Sequence, residues 1–305
     1  MTAPVLAVQA EPCTRERSSL PELLAKHDLD RGPARTRESF TVFSRTFGLI
    51  VSCELWSEVA RVEGMSHSIR LAVASLFSVC AAAIWFGRNA RPAAAVAAVL
   101  LIARLACFFP LSANHYYLEV LYALFLTVPR SLPEEEDLVL KAVRSTVVLG
   151  LIASGLQKVF HGYYFGGEFL CFMMAHDPRF EVLRPLVPAQ EFLRLQAIER
   201  GIGAGPYRVE SAPLIVVSNL TYILEILVPV GLLVPWSRRI ALVGAIAFVV
   251  AIEIAARELF FGALMINSLL VFGPSAIHRR ALPWFAAFCL FLLAVSLAFP
   301  QWRFT

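Results

Sequence analysis

Between residues 41 and 299 the chain alternates long apolar stretches with short polar joints. That alternation restricts it to a bundle of membrane helices. A span needs about 20 apolar residues, because a helix rising 1.5 Å per residue must cross a hydrocarbon layer of about 30 Å. Stretches that meet or approach this requirement lie at 41–61, 67–87, 92–110, 114–129, 138–159, 212–235, 238–256, 259–273 and 281–299. The fourth and eighth are short, so the expected count is eight or nine. Lipid offers no hydrogen-bond partners, so each stretch must satisfy its own backbone as a helix. With 58% hydrophobic and 16% charged residues and a mean hydropathy of +0.68, the chain has more apolar surface than one soluble core buries. The fold class is therefore all-α: a polytopic membrane helical bundle with eight or nine transmembrane helices and a lid-like outer segment.

Residues 1–40 are polar and lack both a basic n-region and a sufficient apolar run, so they read as a disordered or surface-lying tail and not a secretory signal. Residues 300–305 form a short second tail. Arg88, Arg91, Arg130, Arg238, Arg239, Arg279 and Arg280 all fall in alternate joints, on the side of Arg15, Arg17, Arg31, Arg35 and Arg37. Basic residues in short loops mark the cytoplasmic face, which predicts a multi-pass protein of the cell membrane with a cytoplasmic N-terminus. The segment 160–211 then faces outward. Within it, 168–175 and 190–200 read as two short amphipathic helices separated by Pro178, Pro185 and Pro188, placed as a lid. The six cysteines show no CxxC or regular spacing. His161, Glu168, His176 and Asp177 match no established ligand pattern, and no metal is expected. Membrane lipid is the expected surrounding partner, and nucleic acid is not expected.

Ionisable residues inside such stretches are expensive and draw attention. Lys158 ends a long apolar run, where it must snorkel to water, pair with an acid or lose its proton, and the last two make it a functional candidate. Gly150, Ser154 and Lys158 share one helical stripe, and Ser218, Thr221 or Tyr222, and Glu225 repeat that logic on the sixth stretch. Glu225 has no partner on its own helix, so Arg104 or Lys158 must supply one. Glu253 and Arg257, four apart with the acid first, read as a helical ion pair. Arg104, Asn114 and His115 fall toward the same outer side. Together these residues predict one polar cavity in the outer half of the bundle.

The order Asn114-His115-Tyr116-Tyr117-Leu118, Gly155-Leu156-Gln157-Lys158 followed by Tyr164 and Gly166-Gly167, Leu224-Glu225-Ile226, and Trp236-Ser237-Arg238-Arg239 resembles the transmembrane domain of vitamin K-dependent gamma-glutamyl carboxylases. Related bacterial proteins are termed HTTM, or horizontally transferred transmembrane domain, proteins. The likeness runs from about Phe40, with Arg45 and Gly48 fitting the opening helix, to about His278, within an HTTM-like domain at 41–299. It implies a quinol-dependent enzyme, carboxylase-like or a lyase or oxidoreductase, with a reduced quinone of the vitamin K hydroquinone type as cofactor. Lys158 would be the base, with His115 and Glu225 as the other catalytic residues. Arg104, Asn114, Tyr117, Ser154 and Glu253 would line the cofactor pocket. The family carries a strand-rich outer domain after its helices, whereas this chain ends at Thr305, and Glu253 stands where the family has histidine. These departures point away from peptide carboxylation by this chain alone. The alternative is a non-redox membrane factor, like sporulation-delaying protein B, that matures a secreted peptide with a small partner protein. A transporter is disfavoured because no pair of interrupted helices repeats across two halves.

Overall fold

Every regular element in the computed structural model, which describes residues 33–59, 66–109, 114–128, 132–198 and 205–299, is helical. In chain order these are α1 (Pro33–Val59), α2 (His67–Trp85), α3 (Ala90–Phe108), α4 (Asn114–Phe125), α5 (Pro133–His161), α6 (Glu168–His176), α7 (Ala189–Gln196), α8 (Ala212–Leu233), α9 (Arg238–Ala256), α10 (Leu259–Leu270) and α11 (Ser275–Ala298). A 3₁₀ run, Pro178–Leu186, joins α6 to α7, and a 3₁₀ turn, Gly205–Tyr207, precedes α8. Each of the nine expected stretches has its helix. Six of them, α2, α3, α5, α8, α9 and α11, are long and apolar enough to cross a bilayer. The protein is a helical, multi-pass membrane protein.

The other three differ in kind. α4 and α10 have 12 residues each, about 18 Å of helix and well short of the hydrocarbon thickness. α1 has 27 residues but carries polar side chains along its length. It begins at Pro33, ahead of the expected 41, so the last part of the expected tail is helical. The arginines at 15, 17, 31 and 130 lie outside the described residues, as does the 300–305 tail.

Local chemistry explains the ends of α5, the helix that carries Lys158. Pro133 opens it, Glu134, Glu135 and Glu136 occupy its first turn, and the Leu132 N–H donates to Glu135 Oε2 at 3.2 Å. Acids at a helix N-terminus complement its dipole. The helix stops at Gly162, whose φ of 71° suits a residue without Cβ. Lys158 and His161 fall in the last turn, where cations suit the dipole.

α1 is the hub of the first half: Phe43, Phe47, Ile50 and Val51 are fully buried among α2, α3, α4, α10 and α11. A second apolar cluster joins α5, α8, α9 and α10, so the short α10 belongs to both. Outward side chains such as Val79, Val99, Leu149 and Val243 are exposed on the outer helices, as lipid contact requires. Residues 199–204 lie outside the described ones; the rest of the 160–211 segment places α6 and α7 where two short helices are expected, α7 ending at Gln196, around a third cluster that includes Cys171, Leu195, Tyr207 and Leu214. Arg179 ties it down: it pairs with Asp177 at 2.8 Å and with Glu258, in the α9–α10 link, at 3.1 Å. Hydrogen bonds that Arg179 donates to Asp177, together with the charges of Asp177 and Glu258, hold its guanidinium above its usual pKa.

Candidate functional site

The expected ionisable residues do not meet in one cavity; they form two separate groups, with Glu253 apart from both. In the first, Arg104 of α3 is fully buried and faces three carboxyls. Its Nη2 donates to Glu54 Oε1 at 2.7 Å and to Glu58 Oε1 at 2.5 Å, and its Nη1 donates to Glu119 Oε2 at 2.5 Å. Glu54 and Glu58 sit one turn apart on α1, and Glu119 comes from α4. His115 Nε2 shares a 3.0 Å hydrogen bond with Glu54 Oε1, and its ring stacks on Phe261 of α10. Tyr116 donates its hydroxyl to Glu58 at 2.8 Å and places its ring 3.7 Å from the Arg104 guanidinium carbon. Three carboxyls thus meet one guanidinium and one imidazole. Removing charges from water is affordable only with such dense pairing.

The second group joins α5 to α8. Lys158 Nζ donates to both oxygens of Glu225, at 2.8 and 2.7 Å, and to Ser154 Oγ at 2.7 Å. The lysine side chain is 16% exposed and the glutamate 7%. Tyr164, in the turn after α5, holds its ring 5.3 Å from Nζ. Burial, and then the charge of Glu225, push the Tyr164 phenol above its usual pKa, so it stays protonated. The helices approach closely at Gly155: a Cβ there would lie 2.7 Å from Ile226 Cγ1 and 3.1 Å from the Tyr222 carbonyl oxygen. Gly150, by contrast, has no neighbour within 4 Å where its Cβ would be and takes no part in this contact.

Among the described residues, no hydrogen bond or ion pair links these two groups. Of the expected site, Lys158, Ser154 and Glu225 assemble as a unit, and Lys158, not Arg104, is the partner of Glu225. Arg104 and His115 belong to the other group. Tyr117 is 43% exposed, whereas its neighbour Tyr116 enters the Arg104 cluster. Asn114 opens α4, but its side chain lies outside the described residues.

Glu253 stands apart from both groups. The expected ion pair with Arg257 does not form, because α9 ends at Ala256 and Arg257 adopts a left-handed conformation with φ 56°. Its carboxyl is buried against Gly262, and neither oxygen makes a hydrogen bond of ordinary geometry, although the Glu258 backbone N–H lies toward it. Glu253 also borders an apolar cavity of 510 Å³ between α9, α10 and α11.

Glu54, Glu58 and Glu119 are the functional candidates that sequence reasoning missed. A signal was present, since Glu54 and Glu58 repeat at i and i+4 in an apolar stretch and Glu119 follows His115 by one helical turn. Glu54, His115 and Glu119 also place one potential ligand atom each within 4.8 Å of one another, the arrangement of a metal set. Arg104 donates to the same two carboxyls, so a guanidinium already provides the positive charge there. The outer residues His161, Glu168, His176 and Asp177 disperse to separate partners: the Tyr163 ring, the Gly166 N–H, the Tyr207 hydroxyl and Arg179.

Compared with family models, with curated proteins and with solved structures, the chain gives no match in any of the three.

Proposed function

We propose that this chain is a membrane enzyme of the HTTM, carboxylase-like type in which the Lys158–Glu225 pair removes a proton from a lipid-soluble hydroxyl compound, a reduced quinone. The observation that carries the reading is the two-oxygen contact between Nζ and a buried carboxyl, with Ser154 as third partner. In this reading Glu225, which meets Nζ through both oxygens, takes a proton from it, and two neutral groups remain. The free amine then accepts the proton of a quinol hydroxyl. Its partial exposure leaves it reachable, and the Tyr164 ring, stacked on Phe169, walls one side of the amine. A quinol bound beside Nζ would supply the acidic hydroxyl. α1, α4 and α10 complete the bundle as spanning or partly spanning elements, with the N-terminus cytoplasmic and 160–211 outside the cell membrane.

The second reading, a non-redox factor for maturing a secreted peptide with a small partner protein, draws on the outer segment, which has its own packed apolar cluster and could present a surface to a peptide. One experiment separates the two. Purified protein in detergent is given a menaquinol-type hydroquinone, and oxygen uptake is followed as quinol and oxygen yield quinone and hydrogen peroxide. Lys158→Arg keeps the positive charge opposite Glu225 but cannot release a proton, so it should fold normally and lose at least about 100-fold in rate, the lower end of the about 10²–10⁴ that general-base catalysis contributes. Undiminished uptake in that variant removes Lys158 from the chemistry. No uptake in the wild type, together with loss of peptide maturation in cells on deleting the outer segment, favours the second reading.

A further inference from the structure

Two adjoining cavities lie at the end of the bundle where α1 begins and where the α8–α9 and α10–α11 links run. The larger, 670 Å³, is bordered by Arg35 and Ser39 of α1, by Trp236, Arg238 and Arg239, and by Ser275. The other, 380 Å³, runs along α5 and α8 past Lys141, Arg144, Val148, Leu149 and Leu233. Arg238 and Phe272 belong to both walls, so the two spaces lie side by side across these residues. The first is a basic bowl and the second a mainly apolar channel with cations at its mouth.

The charges are unevenly matched. Asp137 pairs with Lys141 at 2.8 Å and with Arg144 at 3.6 Å, and Glu38 pairs with Arg279 at 3.1 Å. Arg238 donates its Nε to the Leu232 carbonyl at 3.0 Å, which fixes the direction of the guanidinium. Among the described residues no acid pairs with Arg35, Arg238 or Arg239. Three arginines around one concavity form a site for a phosphate, which guanidinium groups bind through paired N–H donors. Trp236, 84% exposed beside them, is the kind of side chain that settles at headgroup depth.

We propose that this concavity binds one anionic phospholipid, its phosphate among Arg35, Arg238 and Arg239 and an acyl chain along Val148, Leu149 and Leu233. The apolar channel is what selects a lipid over a free phosphate. Basic pockets between transmembrane helices suit anionic headgroups for the same reason. The assignment is independent of any chemistry at Lys158.

Native mass spectrometry of the full chain in detergent tests it, with phosphatidylglycerol and phosphatidylcholine of identical acyl chains as probes. One phosphatidylglycerol should be retained at least tenfold more tightly than phosphatidylcholine, given about fivefold for each arginine near a membrane surface. Arg35→Gln/Arg239→Gln should remove about 25-fold of that binding, whereas Arg280→Gln, outside both walls, should leave it intact. Melting in lipid-free detergent checks that the double variant folds. If it does not fold, quenching of Trp236 in the wild type by bromine-labelled phosphatidylglycerol, relative to bromine-labelled phosphatidylcholine, decides. Equal retention or equal quenching of the two lipids overturns the proposal. So does displacement by glycerol phosphate at the concentration at which phosphatidylglycerol binds, which would assign the site to a soluble anion.

Discussion

The Arg104 cluster and the Lys158–Glu225 pair are both buried ionic sites in a membrane bundle, yet they are built on opposite principles. Arg104 draws acids from two other helices into a site that is almost dry, with more carboxyls than cations. Lys158 meets one acid on one neighbouring helix, in balance, with a partly exposed side chain. Guanidinium stays charged under all ordinary conditions, whereas an ammonium in low dielectric can give up its proton. The first arrangement suits a permanent clamp among α1, α3 and α4; the second suits a group whose charge changes. Location in the membrane does not distinguish a structural from a chemical role; under the proposed function the choice of cation does.

Removing Arg104 should have the largest effect. Arg104→Met leaves Glu54, Glu58 and Glu119 facing one another without their cation, and a loss of about 3–5 kcal/mol is expected, read as a fall in melting temperature or in recovery of monodisperse protein from detergent. Arg104→Lys should recover little of it, because one ammonium cannot present the fork that reaches three carboxyls. A lysine variant as stable as wild type would break the distinction between the two sites.

The pair around Lys158 should respond differently to double substitution. Lys158→Met alone strands Glu225 and should cost about 3 kcal/mol. Lys158→Met/Glu225→Leu should regain most of that, since a balanced pair can be exchanged for apolar side chains of similar volume. A double-mutant cycle by thermal melts in detergent gives the coupling directly. If the double variant is as unstable as the single one, the pair is not self-contained and must couple to charges beyond it.

A smaller effect is expected at the close approach of α5 and α8. Gly155→Ala places a methyl against Ile226 and the Tyr222 carbonyl, so the helices must part, at about 1–3 kcal/mol. Because Lys158 and Glu225 sit on those same helices, the variant should also weaken the Lys158–Glu225 coupling in the cycle. Gly150→Ala, in open space, is the control and should leave both unchanged.

The helices were legible in the sequence because hydropathy reports the cost of exposing backbone and charge to lipid, which acts locally. Lys158, Ser154 and Glu225 were legible too, since i, i+4 spacing on α5 and an unpaired acid on α8 each demanded a partner. The idea of a single cavity failed because depth along a span does not say which way a helix is rotated or which neighbour it faces. Glu54 and Glu58 lie near the end of α1, where they pass for boundary residues until the position of Arg104 is known. The Glu253–Arg257 pair failed for a local reason, as the helix ends between them.

The polarity of α1 bears on how the protein is made. This helix becomes the hub of its half of the bundle, yet it is absent from the six that lipid alone would accept. Its acids gain their cation only after α3 has been synthesised, and their histidine and tyrosine only after α4. Stable seating of α1 is therefore deferred until later segments leave the ribosome, and the insertion machinery must shelter a half-polar helix in the meantime. On this arrangement, biogenesis should be cooperative across the first four helices, and a ribosome stalled before α3 should leave α1 exposed to quality control.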